Sequence, residues 1–156
     1  MQDLSTLKFP QVTQVSPRIL ILEYWVPLLA WLLLIYYFST DNFSASETSG
    51  FIVPLLRFFF PGLSPDQLMF WHGAIRKLGH VAGYAVLGFL AHRAITFEQP
   101  DRTRAKLLTF QFVLLAAMAD EFHQSLTISR SASFIDVGYD SLGGLLTLWW
   151  MTILRK

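Results

Sequence analysis

The sequence predicts an all-α fold: an integral membrane four-helix bundle with an interfacial segment between its first and second spans. Three observations lead there. Charged residues make up 15% of the chain while 53% are hydrophobic and 15% aromatic, whereas soluble domains carry about 25% charged residues. Apolar runs of about twenty residues recur, the length a helix needs to cross a hydrocarbon core of roughly 30 Å. The charges that interrupt these runs gather near one end of several of them, where charge is costly unless it is paired or used. Mean hydropathy is +0.44.

In chain order, residues 1–18 read as a polar cytoplasmic tail containing Pro10 and Pro17. Asp3 and the length of the apolar run that follows argue against a cleaved signal peptide. Residues 19–156 read as one domain. Its first span is Ile19–Phe38, with Glu23 as the sole charge and Trp25, Trp31, Tyr36 and Tyr37 along it. Aromatics spread beyond the interface belt imply that part of this helix packs against protein. An extracytoplasmic loop covers 39–77. Within it, Gly50–Pro61 is too short to cross a bilayer and is broken by Pro54, so it lies in the interface. Ser64-Pro65-Asp66 is a helix start, an N-cap followed by Pro in the first turn, and that helix runs through Trp71 and Arg76-Lys77 into a second span at about 78–97. Third and fourth spans follow at about 107–126 and 134–154.

Counting basic residues orients the bundle. The side holding both termini and the middle connection carries Lys8, Arg18, Arg93, Arg102, Arg104, Lys106, Arg155 and Lys156, and the other side carries Arg57, Arg76, Lys77 and Arg130. Positive residues favour the cytoplasm, so both termini are expected there. A net charge of +1 and the lack of a basic block interleaved with aromatics exclude nucleic acid as a partner. Zero Cys excludes disulfides, thiolate nucleophiles and cysteine metal sites.

This topology brings the polar residues to one depth. Arg76, Lys77 and His80 open the second span at its outer end, with Lys77, His80 and Tyr84 on one helix face. Asp120, Glu121, His123 and Gln124 close the third span there, and Asp136 and Asp140 open the fourth. Gly79, Ala82, Gly83 and Gly88 thin the second helix, and Gly143-Gly144 the fourth, which lets backbones approach within a membrane. The expectation is a shared polar cavity facing the extracytoplasmic side.

The chain resembles the VanZ-like membrane proteins over roughly Trp25 to Trp150. The resemblance rests on Ile35-Tyr36-Tyr37-Phe38-Ser39, Ser44-Ala45-Ser46-Glu47-Thr48, Arg76-Lys77-x-x-His80-x-x-x-Tyr84, Asp120-Glu121-x-x-Gln124, Ser129-Arg130 and Asp136-x-x-x-Asp140-x-x-Gly143. Where many relatives carry Asn near the start of the fourth span, this chain has Asp140. The family is named for a member associated with low-level teicoplanin resistance, so the resemblance implies a multi-pass protein of the bacterial cytoplasmic membrane, a cell-envelope setting and a bearing on glycopeptide susceptibility.

The polar cluster reads in three ways. It is a buried ion-pair network that fixes helix register; or a ligand site in which Arg76, Lys77 and Arg130 hold an anionic headgroup, with Tyr84, Gln124, Asp136 and Asp140 completing it; or a catalytic site in which His80 is a general acid or base and Asp120 or Glu121 orients it or activates water. The ligand expected is a membrane lipid or a lipid-linked cell-wall precursor. No cofactor is named. A metal version would draw on His80, His123 and the acids, a set suited to Zn²⁺ or Mn²⁺, but no strict ligand motif is present and no metal ligand is assigned. His72 and His92 are expected to serve interface or packing roles, and Ser39 and Thr48 to serve as loop and capping residues.

Overall fold

The computed structural model describes residues 17–127 and 132–154, so the N-terminal tail, Ser129-Arg130 and the final Arg155-Lys156 lie outside the described residues. The described residues are all-α, with no strand. Five helices follow in order: α1 (Pro17–Phe38), α2 (Ala45–Phe59), α3 (Pro65–Glu98), α4 (Arg102–Ser125) and α5 (Phe134–Ile153), with one 3₁₀ turn at Asp41–Phe43 between α1 and α2.

Local chemistry sets the boundaries. Ser44 caps α2 by accepting from the Glu47 amide at 3.4 Å. At the start of α3, Ser64 Oγ accepts from the Gln67 amide at 3.3 Å and Gln67 Oε1 accepts from the Ser64 amide at 2.9 Å, a reciprocal capping box with Pro65 in the first turn. Asp101 caps α4 through the amides of Thr103 and Arg104, and Ser133 caps α5 through that of Ile135. The expected interfacial segment is helical, and longer than anticipated because the Ser44 cap starts it five residues before Gly50.

α3 is the central element, in contact with each of the other four helices. At 34 residues it is about 51 Å long at 1.5 Å per residue. It and α5 make the closest approach. A Cβ at Gly143 would collide with the Val81 carbonyl and lie 2.9 Å from the Ala85 nitrogen, and one at Gly88 would meet the Gly144 Cα at 3.1 Å. Thr147 locks the same seam by donating to the Ala85 carbonyl at 2.7 Å. Gly79 and Gly83 have nothing within 4 Å of where a Cβ would stand. They do not thin a helix contact; they leave room, as the cavity described below shows. α1 is fixed to α3 at two levels, through Trp31 Nε1 donating to the Gly83 carbonyl at 2.9 Å and through Arg93 pairing with Glu23 at 2.6 Å.

Apolar and polar side chains are buried side by side. The buried cluster is built from Leu28, Tyr84, Leu87, Ala91, Ala94, Val113 and Ala117, while His72, His92, Asp120, Glu121, Gln124 and Asp140 are buried as well. The large side chains face outward, among them Leu29, Leu33, Phe58, Phe59, Phe70, Leu115, Phe122, Trp149 and Trp150. By its own composition, one helix among the described residues is long and apolar enough to cross a membrane, at Ile21–Phe38 with mean hydropathy 1.7. The expected spans at 78–97, 107–126 and 134–154 coincide with α3, α4 and α5, but charged and polar side chains run through all three, and helix composition alone does not make them spans.

Candidate functional site

At the Ser39 end of α1 the helices enclose a cavity of about 300 Å³. Ile35, Phe38 and Ser39 come from α1 and its end, Phe43 from the 3₁₀ turn and Thr48 from α2; Arg76, Gly79, His80, Gly83 and Tyr84 come from α3, and Asp120 from α4. The missing side chains of Gly79 and Gly83 are part of what makes the space.

Behind the wall sits a histidine–carboxylate contact. His80 Nδ1 lies 3.1 Å from Asp140 Oδ1, and the Asp140 side chain has no exposed surface while that of His80 is 27% exposed. One ligand-capable atom from each of His80, Asp120 and Asp140 falls within 4.8 Å of the others. Asp140 Oδ2 is buried with no hydrogen-bond partner among the described residues. Asp120 Oδ2 accepts from Gln124 Nε2 at 3.1 Å, one turn on along α4. Tyr84 donates weakly to the Ala116 carbonyl at 3.5 Å. Helical phase therefore anticipates this group correctly: α3, α4 and α5 each supply a member.

The remaining sequence-predicted site residues are placed differently. Glu121 does not line the cavity; its Oε2 accepts from the Ser133 amide at 2.7 Å and ties the end of α4 to the start of α5. Asp136 lies one turn before Asp140 on α5, half-buried and outside the cavity wall. Lys77 is exposed, its Nζ 4.6 Å from the centre of the Tyr139 ring. Arg76 does reach the cavity, and there it donates to the Phe43 carbonyl at 2.8 Å and to Thr48 Oγ1 at 2.7 Å. Arg130 lies outside the described residues. His123 Nδ1 stands 3.2 Å from Ser39 Oγ and its ring packs at a tilt against Tyr36, so the His the fold groups with the acids is His80 alone.

Sequence reasoning assigned Ser39 and Thr48 to loops and caps, and both are cavity walls. Thr48 is a junction: it donates to the Ser44 carbonyl at 2.8 Å, sits 3.1 Å from His72 Nε2 and accepts from Arg76. Burial, and next the nearby Arg76 charge, hold the His72 pKa below its usual 6.5. The available signal was the spacing of His72 and Arg76, four residues apart on one face of α3, which both meet Thr48. His92 is buried beside Thr109 Oγ1 at 3.2 Å, a packing position as expected.

The arrangement can hold a polar or anionic group against Arg76, present an imidazole and a carboxylate to it from His80 and Asp120, and leave an apolar chain along Ile35, Phe38 and Phe43. The VanZ/LLP1 family model matches residues 24–155. No curated protein and no solved structure matches the chain.

Proposed function

Because the chain belongs to the VanZ/LLP1 family, we propose that it is a multi-pass protein of the bacterial cytoplasmic membrane whose cavity binds or processes an anionic envelope lipid or lipid-linked cell-wall precursor from the extracytoplasmic side. The observation that carries this reading is the cavity itself: a guanidinium, an imidazole and a carboxylate share about 300 Å³ with Ile35, Phe38 and Phe43. A charged headgroup on an apolar chain matches both halves of that lining. The outward-facing Leu, Phe and Trp side chains supply a second support, since apolar surface of that extent has no favourable place in water. In this reading Arg76 holds the anion, Tyr84 positions it, and His80 with Asp120 is the reactive pair if a reaction occurs. A bearing on glycopeptide susceptibility follows if the bound lipid is a cell-wall intermediate.

The test uses the space that two glycines leave. Gly79→Leu or Gly83→Leu puts side-chain volume into the cavity, since a Cβ at either position meets nothing within 4 Å. The lipid that copurifies with the wild-type protein in mild detergent, identified by mass spectrometry, should fall at least about tenfold in occupancy in either variant. Retention of the same lipid at wild-type occupancy in both variants would overturn the reading. Asp120→Asn then separates binding from turnover: a catalytic site loses conversion of the bound lipid and keeps its occupancy, whereas a purely binding or translocating pocket shows no conversion in either form.

A further inference from the structure

We infer that His80, Asp120 and Asp140 form a binding site for one divalent transition cation of the Zn²⁺ or Mn²⁺ class, set into the back wall of the cavity. Three observations converge. The ligand-capable atoms lie within 4.8 Å of one another, although the residues come from three different helices and are separated by 40 and 20 positions in the chain. The two carboxylates are buried, Asp120 at 8% exposure and Asp140 at 0%. The Asp140 oxygen that does not face His80 has no hydrogen-bond partner among the described residues. Buried polar oxygens are satisfied in the great majority of cases, and a buried carboxylate oxygen left over beside an imidazole and a second carboxylate is a site short of one cation.

The donor set selects the metal class. One imidazole with two carboxylates suits Zn²⁺ and Mn²⁺, and the absence of thiolate or thioether disfavours Cu(I). At metal–ligand distances of about 2.0–2.2 Å, tetrahedral ligand atoms stand roughly 3.4 Å apart. His80 Nδ1 and Asp140 Oδ1 already stand 3.1 Å apart, and the whole set lies within 4.8 Å. Three protein ligands leave a coordination position open. His80 and Asp120 both line the cavity, so the open position faces it. Gln124 supports the site from outside by donating to Asp120 Oδ2, the kind of partner that orients a ligating carboxylate. Metal binding here needs no lipid, so the site stands or falls apart from the lipid-binding reading above.

The experiment uses the full chain in detergent, stripped with chelator and titrated by calorimetry with ZnCl₂ and separately with MnCl₂, without added lipid. One equivalent of at least one metal should bind, and Asp140→Asn, Asp120→Asn and His80→Gln should each weaken it by at least about tenfold. His123→Gln, which alters a histidine near the cluster but outside it, should leave metal affinity unchanged. With Mn²⁺ bound, pulsed electron paramagnetic resonance should show a ¹⁴N coupling that disappears in His80→Gln. Absence of saturable binding of both metals to the wild-type protein overturns the site, and so does wild-type affinity in a folded Asp120→Asn or His80→Gln. Should Asp140→Asn fail to fold, those two variants and the ¹⁴N signal decide. Retention of the copurifying lipid on cavity filling with metal binding intact fails the lipid reading alone, and loss of the lipid on cavity filling in a protein that binds neither metal fails the metal site alone.

Discussion

Glu121 illustrates how a residue adjacent to a site acquires a different task. Its neighbour Asp120 faces the cavity, whereas Glu121 Oε2 receives the Ser133 amide across the α4–α5 connection. An intramolecular hydrogen bond contributes about 0.5–1.5 kcal/mol net. Glu121→Ala is therefore expected to lower thermal stability by roughly that amount, measured as unfolding in detergent, while Glu121→Gln retains an acceptor and costs less. Neither substitution should alter cavity occupancy. His72 carries a pH dependence of known sign. Burial keeps its folded-state pKa below 6.5, so below about pH 6.5 the unfolded chain takes up a proton that the folded chain refuses. The stability this neutral histidine contributes is present above that pH and declines as pH falls. Between pH 7.5 and 5.5 the melting temperature should drop more in the wild-type protein than in His72→Gln; an equal drop in both would show that His72 is not the group titrating. Helical phase set His80, Asp120 and Asp140 at one depth, and the structure brings them together; it set Lys77, Glu121 and His123 with them, and their contacts lie elsewhere. It did not give Thr48 or Ser39, whose positions depend on how α2 folds back on α3.

At the scale of elements, the capping signals were legible and so were the helices. Ser64-Pro65 marked the start of α3, and the apolar run from Leu107 marked α4. The glycines were legible as a class but not one by one. Gly143 and Gly88 serve helix contact, while Gly79 and Gly83 serve the cavity; which glycine faces a backbone and which faces open space is decided by the rotation of α3 against α5, and no local pattern encodes that. The distinction is measurable. Gly143→Ala places a methyl group into the backbone of Val81–Ala85 and should cost about 1–3 kcal/mol or more, whereas Gly79→Ala should be close to neutral or slightly stabilising because it removes a helix glycine. Thermal unfolding of the two variants side by side checks both. Equal losses would mean that the α3–α5 seam is not where the helices are closest.

For the whole molecule, the exposed apolar side chains and the buried polar cluster suit the bilayer setting proposed above. On the proposed topology, Ser133 and Thr103 lie on opposite sides of it. A Cys introduced at Ser133 should react with a membrane-impermeant maleimide added to intact cells, and one at Thr103 should react only after permeabilisation; the opposite pattern would turn the cavity towards the cytoplasm. The structure pairs Glu23 with Arg93 and Lys106 with Thr152, which gathers the start of α1, the end of α3, the start of α4 and the end of α5 at one end, in keeping with an up-and-down order. The one-dimensional record contained the order of the helices but not which of their polar residues are buried, because hydropathy averages a helix over all its faces.

The glycine seam between α3 and α5 has a consequence for traffic. None of the described residues lining the cavity comes from α5, and the backbones of α3 and α5 stand too close at Gly143 to let a molecule pass between them. For the lipid proposed above, the α3–α5 flank is therefore closed as a way in, and the lining that remains on the α1–α2 flank is Ile35, Phe38, Ser39, Phe43 and Thr48, where Arg76 donates to Thr48 Oγ1.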